Sequence, residues 1–210
     1  MTACARASLR SLTGKYFWRR TISEQITEAA TQPPRRFAGQ ASSTESGISF
    51  RKPVAADGPA ITALIAASPP LDGNSAYCNL LQCSHFADFC VIAQDGGEIV
   101  GWVSAYRPPS EPDSLFVWQI AVARKARGQK LAQRMMDALL ERPAVRGVRE
   151  MITTITADNR ASWALFEGLA RRLGAGLQKT EHFSRDVHFG GNHATEWLAR
   201  IGPLPAAANP

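Results

Sequence analysis

Apolar residues recur at two different spacings along the chain, and the first of these spacings predicts β-strands. Alternation of apolar and polar residues, or a short unbroken apolar run, is typical of a strand. We predict strands over residues 48–52, 90–94, 98–106, 115–122, 150–157, 182–189 and 195–201. The turn Asp95-Gly96-Gly97 predicts a hairpin between the second and third strands. The run LFVWQIAV, residues 115–122, predicts a central strand that is buried on both faces.

The second spacing, with apolar residues three and four positions apart, predicts helices. The inward-facing positions are Ile61, Leu64 and Ile65 in the first helix, Leu80 and Leu81 in the second (residues 75–86), Leu131, Met135, Met136, Leu139 and Leu140 in the third, and Leu165, Phe166 and Leu169 in the fourth. Asp57 is a candidate N-cap of the first helix, and Asn159 begins the fourth. Because helices and strands are interspersed, the order predicts a mixed α/β sheet.

Residues 1–46 differ in composition from the rest of the chain. They mix Arg, Ser, Thr, Gln and Ala and carry seven basic and three acidic side chains, a net charge of +4. This composition predicts a disordered basic tail ahead of one domain over residues 47–205. The lack of acidic residues before Glu24 also resembles an organellar transit peptide, and a start site upstream of the true domain is a third interpretation.

Charge and composition exclude several classes of function for the main domain. Of the total net charge of +6, only +2 lies outside the tail, so we expect no nucleic-acid partner. No apolar run approaches the roughly 18–20 residues that a membrane span needs. No cysteines form a CxxC pair, and we expect reduced thiols and a cytoplasmic protein. We expect no metal, because no common zinc spacing is matched by Cys78, Cys83, His85 and Cys90.

The most informative local unit is a basic, glycine-containing turn between the central strand and the third helix. It reads ARKARGQKLA, residues 123–132. A helix N-terminus presents unpaired N–H groups and the positive end of a dipole, so it binds anions, and the basic side chains add positive charge. The turn matches neither the P-loop nor the dinucleotide-binding glycine pattern. It predicts either a pyrophosphate site or a solvated basic turn.

The segment Arg127-Gly128-Gln129-Lys130-Leu131-Ala132 resembles the coenzyme A turn of the GNAT acetyltransferases, Q/R-x-x-G-x-G/A. The resemblance implies a GNAT fold, with a mixed central sheet of about seven strands flanked by four helices, and acetyl-CoA as co-substrate. It implies cofactor contacts at Ile120, Ala121, Val122, Arg127, Gly128, Gln129, Lys130, Leu131, Ala132 and Asn159. Lys130 replaces the usual glycine, and we expect it to keep a helical conformation. Phe166 replaces a tyrosine that protonates the leaving thiolate in many members.

A longer resemblance extends over residues 48–203 and is more specific than the cofactor turn. It is carried by residues 71–86, 102–122, 154–166 and 188–201, which look like the diaminobutyrate acetyltransferases of ectoine biosynthesis. This resemblance implies a homodimeric enzyme that acetylates the 4-amino group of L-2,4-diaminobutyrate, in a pathway to a compatible solute for osmotic stress. It assigns the acceptor site to Asp72, Tyr77, Trp118, His193 and Glu196. Ala194 departs from the family, which often has an acidic residue there.

The residue types at these positions suit a small substrate with two ammonium groups. The carboxylates of Asp72 and Glu196 can pair with ammonium ions, and Trp118 offers a cation–π face. The attacking amine must first lose a proton, because its pKa lies near that of lysine. We therefore predict Glu196 as the general base and Asp72 as the second candidate. A backbone N–H of a bulged central strand near Ile120 would polarise the thioester carbonyl.

Other interpretations remain open at the level of sequence. Asp72 could cap a turn, Trp118 could be a core residue, and His193 could be structural. The enzyme could act on another small amine or on a protein N-terminus, or the domain could sense acetyl-CoA without catalysis. Cys78 or Cys83 could carry the acyl group as a nucleophile.

Overall fold

The computed structural model describes residues 47–205, and a seven-stranded sheet forms the centre of that region. The strands are β1 (Ser49–Arg51), β2 (Val91–Asp95), β3 (Glu98–Tyr106), β4 (Ser114–Val122), β5 (Glu150–Thr156), β6 (Gly176–Phe183) and β7 (Glu196–Gly202). Their order across the sheet is β1-β2-β3-β4-β5-β7-β6, and only β4 and β5 are parallel neighbours. The predicted mixed sheet is confirmed, whereas the predicted tail, residues 1–46, lies outside the described residues.

The described helices are α1 (Gly58–Ala66), α2 (Ala76–Ser84), α3 (Leu131–Leu140), α4 (Arg160–Leu173) and the short α5 (Arg185–Phe189). The first four are the helices that the sequence predicts. Ser75 caps α2 and Asn159 caps α4, because each side chain accepts a hydrogen bond from an N–H of the first turn. Between residues 47 and 205, no helix has the length and apolar character needed to cross a membrane.

Two apolar cores lie on opposite faces of the sheet. The larger core joins the sheet to α3 and α4 and includes Met135, Met136, Leu139, Phe166 and Leu169. The smaller core joins the sheet to α1 and includes Ile61, Ile65 and Trp102. Full burial of each such side chain contributes about 1.5–3 kcal/mol. Since β4 contributes residues to both cores, it is a rigid support for a functional site.

The parallel strands β4 and β5 separate part of the way along their length. They pair over only three residues, from Ser114 opposite Glu150 to Phe116 opposite Ile152. Beyond that point β4 continues to Val122, still paired with β3 on its other side. The separation leaves one backbone edge of β4 open and creates a gap in the middle of the sheet.

A β-bulge at Trp118 changes the direction of side chains along β4. The neighbouring residues Val117 and Gln119 pair with successive residues of β3, so Trp118 has no partner of its own. As a result, Val117 faces the core under α3 and α4, whereas Ala121 faces the core under α1. Trp118 is 43% exposed. The prediction that residues 115–122 are buried on both faces is therefore wrong at the bulge.

The strand predicted over residues 182–189 is wrong in its position. β6 ends at Phe183, and α5 follows directly. The Ser184 hydroxyl accepts a hydrogen bond from the Val187 N–H at the first turn of α5, and Gly190 ends the helix in a left-handed conformation. These local capping interactions outweigh the apolar alternation that suggested a strand.

α2 buries a different face from the one that its leucines predict. Leu80 is 38% exposed and lies against the start of α1, where a Cβ on Gly58 would come within 2.6 Å of its Cδ2. The buried positions of α2 are Asn79, Gln82 and Cys83. Polar side chains can face inward where hydrogen-bond partners meet them, and Asn79 has such partners.

Asp57 stands at the start of α1, as predicted, but its carboxylate does not cap that helix. It accepts two hydrogen bonds from the Arg51 guanidinium, at 2.8 and 2.7 Å. The paired guanidinium lowers the pKa of Asp57, against the opposing effect of partial burial. The ion pair therefore joins β1 to the start of α1, and the same carboxylate accepts a hydrogen bond from the Val54 N–H in the turn before the helix.

Candidate active site

A cavity of about 420 Å³ occupies the gap between β4 and β5. Residues 117–120 of β4 and residues 153–156 of β5 form its walls. The loop before α2, the first turns of α4 and the segment before β7 contribute the remaining surface, including Asp72, Asn74, Asn159, Phe166, His193 and Glu196. The cavity has a size typical of a small-molecule site, and most of the residues that line it are polar, which suits a charged ligand.

The open edge of β4 supplies backbone hydrogen-bonding groups along one wall. Ile120 borders the cavity with its side chain. Ala121 is 1% exposed and points into the core under α1, so only its backbone can contact a ligand. Val122 packs against the other core. An extended, amide-containing ligand could therefore pair with this edge as an additional strand would.

The turn before α3 has the geometry of an anion site. Gly128 has a φ of 80°, and Lys130, at the N-cap, has a φ of 54° and a ψ of 26°. No side chain of residues 47–205 caps α3, so its first N–H groups remain available to a ligand. The expectation that Lys130 keeps a helical conformation is wrong. Its backbone is left-handed, which suits glycine and costs another residue about 1–2 kcal/mol.

The side chains of this turn differ in what they can offer an anion. The basic residues are all exposed: Arg124, Lys125, Arg127 and Lys130. Lys125 forms an ion pair with Glu98, and Arg127 Nε donates to the Val122 carbonyl at 3.2 Å. Gln129 is exposed, and Ala132 is partly buried. Leu131 is 2% exposed within the core, so it can contribute only its N–H group.

Asn159 and Phe166 reach the cavity from α4. The Asn159 Oδ1 accepts a hydrogen bond from the Ser162 N–H at 3.1 Å, which leaves its NH₂ group for a ligand. Phe166 is 3% exposed and belongs to the core. Because its ring has no acidic proton, it cannot protonate a thiolate. Ser162, one turn earlier on α4, also borders the cavity.

Three of the predicted acceptor-site residues meet at the cavity. The Nε2 atom of His193 lies 3.4 Å from Asp72 Oδ2 and 3.9 Å from Glu196 Oε1. The Nδ1 atom of His193 lies 2.7 Å from the Ala194 carbonyl oxygen. The His193 imidazole therefore lies between two carboxylates, Asp72 and Glu196, that are far apart in the sequence.

Glu196 is the most buried carboxylate of this cluster. Its side chain is 17% exposed, and within residues 47–205 its buried Oε2 has no hydrogen-bond partner. The pKa of Glu196 is raised, mainly by burial. The charges of Asp72 and Asp158 also raise it, whereas the Thr154 hydroxyl and His193 lower it. A buried oxygen without a partner is costly, so its position on a cavity wall suits a group that a substrate contacts.

His193 is held ready to carry a proton. Its hydrogen bond to the Ala194 carbonyl raises the pKa of His193, against a small opposing effect of burial. The charges of Asp72 and Glu196 also raise it. A protonated imidazole between the two carboxylates reduces their mutual repulsion.

The two predicted aromatic residues have different positions. Trp118 borders the cavity and packs edge-on against Tyr106, with 6.1 Å between ring centroids. This packing orients an exposed indole beside the carboxylates. Tyr77 is 69% exposed on α2 and does not border the cavity, so its role in substrate binding stays a prediction.

Gln119 and Asn74 border the cavity but are missed by the sequence reasoning. Gln119 Nε2 donates to the Asp72 carbonyl oxygen at 2.8 Å, and Gln119 Oε1 accepts from Asn74 Nδ2 at 2.9 Å. The available signal is the single polar residue within LFVWQIAV, because a polar side chain on a buried strand needs partners. Thr154, Ser162 and Asp158 are further cavity residues that the sequence does not single out.

The cysteines are poorly suited to carry an acyl group. Cys78 and Cys83 do not border the cavity. Burial raises the pKa of the Cys78 thiol and raises that of Cys83 to about 11. Since the thiolate is the nucleophile, both changes disfavour acylation. In the region from 47 to 205, no three His, Cys, Asp or Glu side chains are arranged to hold a metal ion.

The sequence and the fold are both similar to those of known acetyltransferases. The acetyltransferase (GNAT) family model matches residues 60–170. The L-2,4-diaminobutyric acid acetyltransferase of Methylotuvimicrobium alcaliphilum is 50% identical over 159 residues, which cover 76% of this chain and 92% of that protein. The enzyme of the same name from Halomonas elongata is 48% identical over 160 residues, which cover 76% of this chain and 83% of that protein.

A solved structure extends the similarity to three dimensions. The diaminobutyrate acetyltransferase of Paenibacillus lautus, in complex with its substrate L-2,4-diaminobutyric acid and coenzyme A, matches with a TM-score of 0.74 and 38% identity. The match covers 78% of this chain and 99% of that one. These similarities confirm the fold and the enzyme class that the sequence predicts. The chain belongs to the GNAT family and, within it, to the L-2,4-diaminobutyric acid acetyltransferases.

Proposed function

We propose that this enzyme transfers the acetyl group of acetyl-CoA directly to the 4-amino group of L-2,4-diaminobutyrate, in a complex that holds both substrates. The observation that carries the proposal is the buried carboxylate of Glu196, which faces a cavity of about 420 Å³ at the β4–β5 gap. The names of the relatives and the ligands of the Paenibacillus lautus complex support the identity of both substrates. The product, N4-acetyl-L-2,4-diaminobutyrate, would serve ectoine biosynthesis.

Acetyl-CoA would bind along β4 and the following turn. The pantetheine amides would pair with the open backbone edge at Ile120, Ala121 and Val122. The pyrophosphate would accept hydrogen bonds from the free N–H groups over residues 127–132, with Arg127 and Lys130 adding charge. The free NH₂ group of Asn159 would contact the same arm from the opposite wall of the cavity.

The acceptor would bind at the other end of the cavity through its charges. Asp72 and Glu196 would pair with its ammonium groups, and the exposed face of Trp118 would add a cation–π contact of about 0.5–2 kcal/mol. His193 would hold the two carboxylates in position. Tyr77, on the exposed side of α2, would contact the amino acid from outside the cavity.

Glu196 would remove the proton that blocks attack by the amine. Its raised pKa makes it a stronger base than an exposed glutamate. Asp72 is the second candidate, and its side chain is 82% exposed to solvent. The bulge at Trp118 turns the adjacent backbone toward the gap, where an N–H near Ile120 would polarise the thioester carbonyl.

The last step releases coenzyme A as its thiol. The amine nitrogen forms a bond to the carbonyl carbon, and the carbon–sulfur bond breaks with its electron pair on sulfur. Phe166 has no proton to donate to the thiolate. The attacking nitrogen loses its second proton as the amide forms, and water in the open cavity would relay a proton from it to the thiolate, giving the free thiol.

Three broader features belong to the same proposal. The enzyme would act as a homodimer, as the resemblance to its family implies. It would work in the cytoplasm, in agreement with the reduced cysteines Cys78, Cys83 and Cys90. Its product would contribute to protection against osmotic stress.

Thiol release from acetyl-CoA tests the function directly. We expect turnover with diaminobutyrate to exceed turnover with ornithine, lysine, putrescine and a peptide, because the cavity is small and holds its carboxylates close together. Preference for another of these amines would refute the specific substrate and retain the GNAT assignment. Binding of acetyl-CoA without thiol release from any amine would refute catalysis and indicate a sensor.

A further inference from the structure

A chain of side-chain hydrogen bonds runs from β4 to α1 behind the acceptor loop, residues 70–75. Gln119 Nε2 donates to the Asp72 carbonyl oxygen at 2.8 Å. Asn74 Nδ2 donates to Gln119 Oε1 at 2.9 Å and to Asn79 Oδ1 at 3.3 Å. Asn79 Nδ2 donates to Thr62 Oγ1 at 2.8 Å, and that hydroxyl donates to the backbone of α1. Every amide in the chain thus donates to an acceptor.

The central amides of this hydrogen-bond chain are buried, so their polar character is not explained by exposure to water. Asn79 is fully buried, and Gln119 is only 7% exposed. Buried amides contribute little net stability compared with apolar side chains of the same shape, but they fix geometry when all of them are satisfied. The chain therefore serves a purpose other than core packing.

The acceptor loop is attached at its ends, where Leu71 packs against the smaller core and Ser75 caps α2. Within the described region, the side-chain interactions of Asp72 and Asn74 lead only to Gln119, Asn79 and His193. A Cβ on Gly73, between them, would meet no atom within 4 Å. The position of the Asp72 carboxylate thus depends on the hydrogen bonds that Gln119 makes with the backbone carbonyl of Asp72 and with the side chain of Asn74.

We propose that Gln119 is a positioning residue for the acceptor amine, acting through the loop rather than on the reacting atoms. Its amide holds the Asp72 backbone from one side and Asn74 from the other, so that the Asp72 carboxylate stays 3.4 Å from His193. The bulge at Trp118 is what turns Gln119 toward this loop. The proposal rests on the proposed function, because it requires a diamine that Asp72 binds.

We expect a substitution at Gln119 to change the KM for diaminobutyrate and not the KM for acetyl-CoA. Gln119→Met keeps the length of the side chain and removes both loop contacts. With two hydrogen bonds lost, we expect the KM for diaminobutyrate to rise about 10- to 100-fold. The KM for acetyl-CoA should stay within about twofold, because that substrate is held by the β4 backbone and the turn before α3.

Two further variants separate positioning from direct binding and from loss of folding. Asn79→Leu disrupts the chain at a residue that does not border the cavity, so it should raise the KM for diaminobutyrate in the same direction. Gln82→Met is the matched control: Gln82 is 1% exposed on α2 and contacts Cys78 instead of the loop. It should leave both KM values unchanged. If Gln119→Met fails to fold, Asn74→Ala on the partly exposed loop removes the hydrogen bonds from Asn74 to Gln119 and Asn79 and leaves the one from Gln119 to the Asp72 carbonyl, so it should raise the KM for diaminobutyrate in the same direction.

Initial rates with each substrate varied in turn, together with melting temperatures, decide the question. A selective rise in the KM for diaminobutyrate in Gln119→Met and Asn79→Leu, absent in Gln82→Met, supports positioning. A rise confined to Gln119→Met indicates direct substrate binding and overturns the proposal. Unchanged or equally raised KM values also overturn it. Wild-type enzyme without thiol release from diaminobutyrate would instead refute the proposed function itself.

Discussion

Replacing Glu196 by glutamine should slow catalysis and raise stability at the same time. The substitution keeps the shape of the side chain and removes its charge. A general base in proton transfer is worth about 10²–10⁴-fold in rate, so we expect kcat with diaminobutyrate to fall by that factor. Acetyl-CoA binding should be unchanged, because Glu196 stands among the proposed acceptor residues and the proposed cofactor turn lies before α3.

The sign of the stability change follows from the pKa. Burial raises the pKa of Glu196 in the folded chain, so the folded state binds this proton more tightly than the unfolded state does. The resulting contribution to stability is fully present below the unfolded pKa and is lost as pH rises through the folded pKa. At neutral pH the buried charge is therefore a net cost, and the glutamine variant should unfold at the same or a higher temperature.

The assay combines thiol release with thermal unfolding over a range of pH. The wild-type rate should fall on acidification, as Glu196 takes up a proton at a pH above the ordinary glutamate range, and the variant should lack this dependence. Glu181→Gln, at an exposed glutamate of the adjacent strand β6, is the matched control and should change neither quantity. A Glu196→Gln enzyme with nearly wild-type kcat would refute the base assignment. A lower melting temperature would refute the account of its burial.

Two further predictions concern stability. Lys130→Gly should raise the free energy of unfolding by about 1 kcal/mol in urea titrations. The reason is that relief of the left-handed strain exceeds the added conformational freedom of the unfolded chain. A loss of stability would contradict the left-handed backbone at this residue. Lys179→Met should lower the free energy of unfolding by about 1–2 kcal/mol, since the Lys179 ammonium lies 4.6 Å from the ring centroids of both Trp163 and Trp197. Lys179→Arg should retain most of that stability, and equal losses in the two variants would exclude a cation–π origin.

The periodicity of the chain was sufficient to predict the four main helices and six of the seven strands. Burial of an apolar face imposes a spacing of two on strands and of three to four on helices, and that spacing is visible in single segments. The turn proposed to bind an anion could be predicted for a similar reason. Its N–H groups belong to consecutive residues, so the site needs no distant partner.

Predictions from short sequence segments were wrong where the local structure depends on contacts with residues distant in sequence. Leu80 was predicted to face inward, but the interior beside α2 is occupied by Asn79, whose amide meets Thr62 of α1. The strand over residues 182–189 is a different case, because a local cap at Ser184 begins a helix there. At Lys130 the residue type does not indicate a left-handed backbone, and the available signal was the glycine that the family usually has at this position.

The acceptor site was predicted by resemblance, and its geometry was decided by tertiary structure alone. Asp72, His193 and Glu196 are far apart in the chain, and no spacing rule relates them. They meet because β4 and β5 separate and because β7 inserts beside β5. The raised pKa of Glu196 follows from its burial. The hydrogen bond from Gln119 to the Asp72 loop follows from the bulge in β4. Both depend on neighbours that are distant in sequence. The sequence by itself therefore determined the elements and the chemistry available, and tertiary packing decided which groups act together.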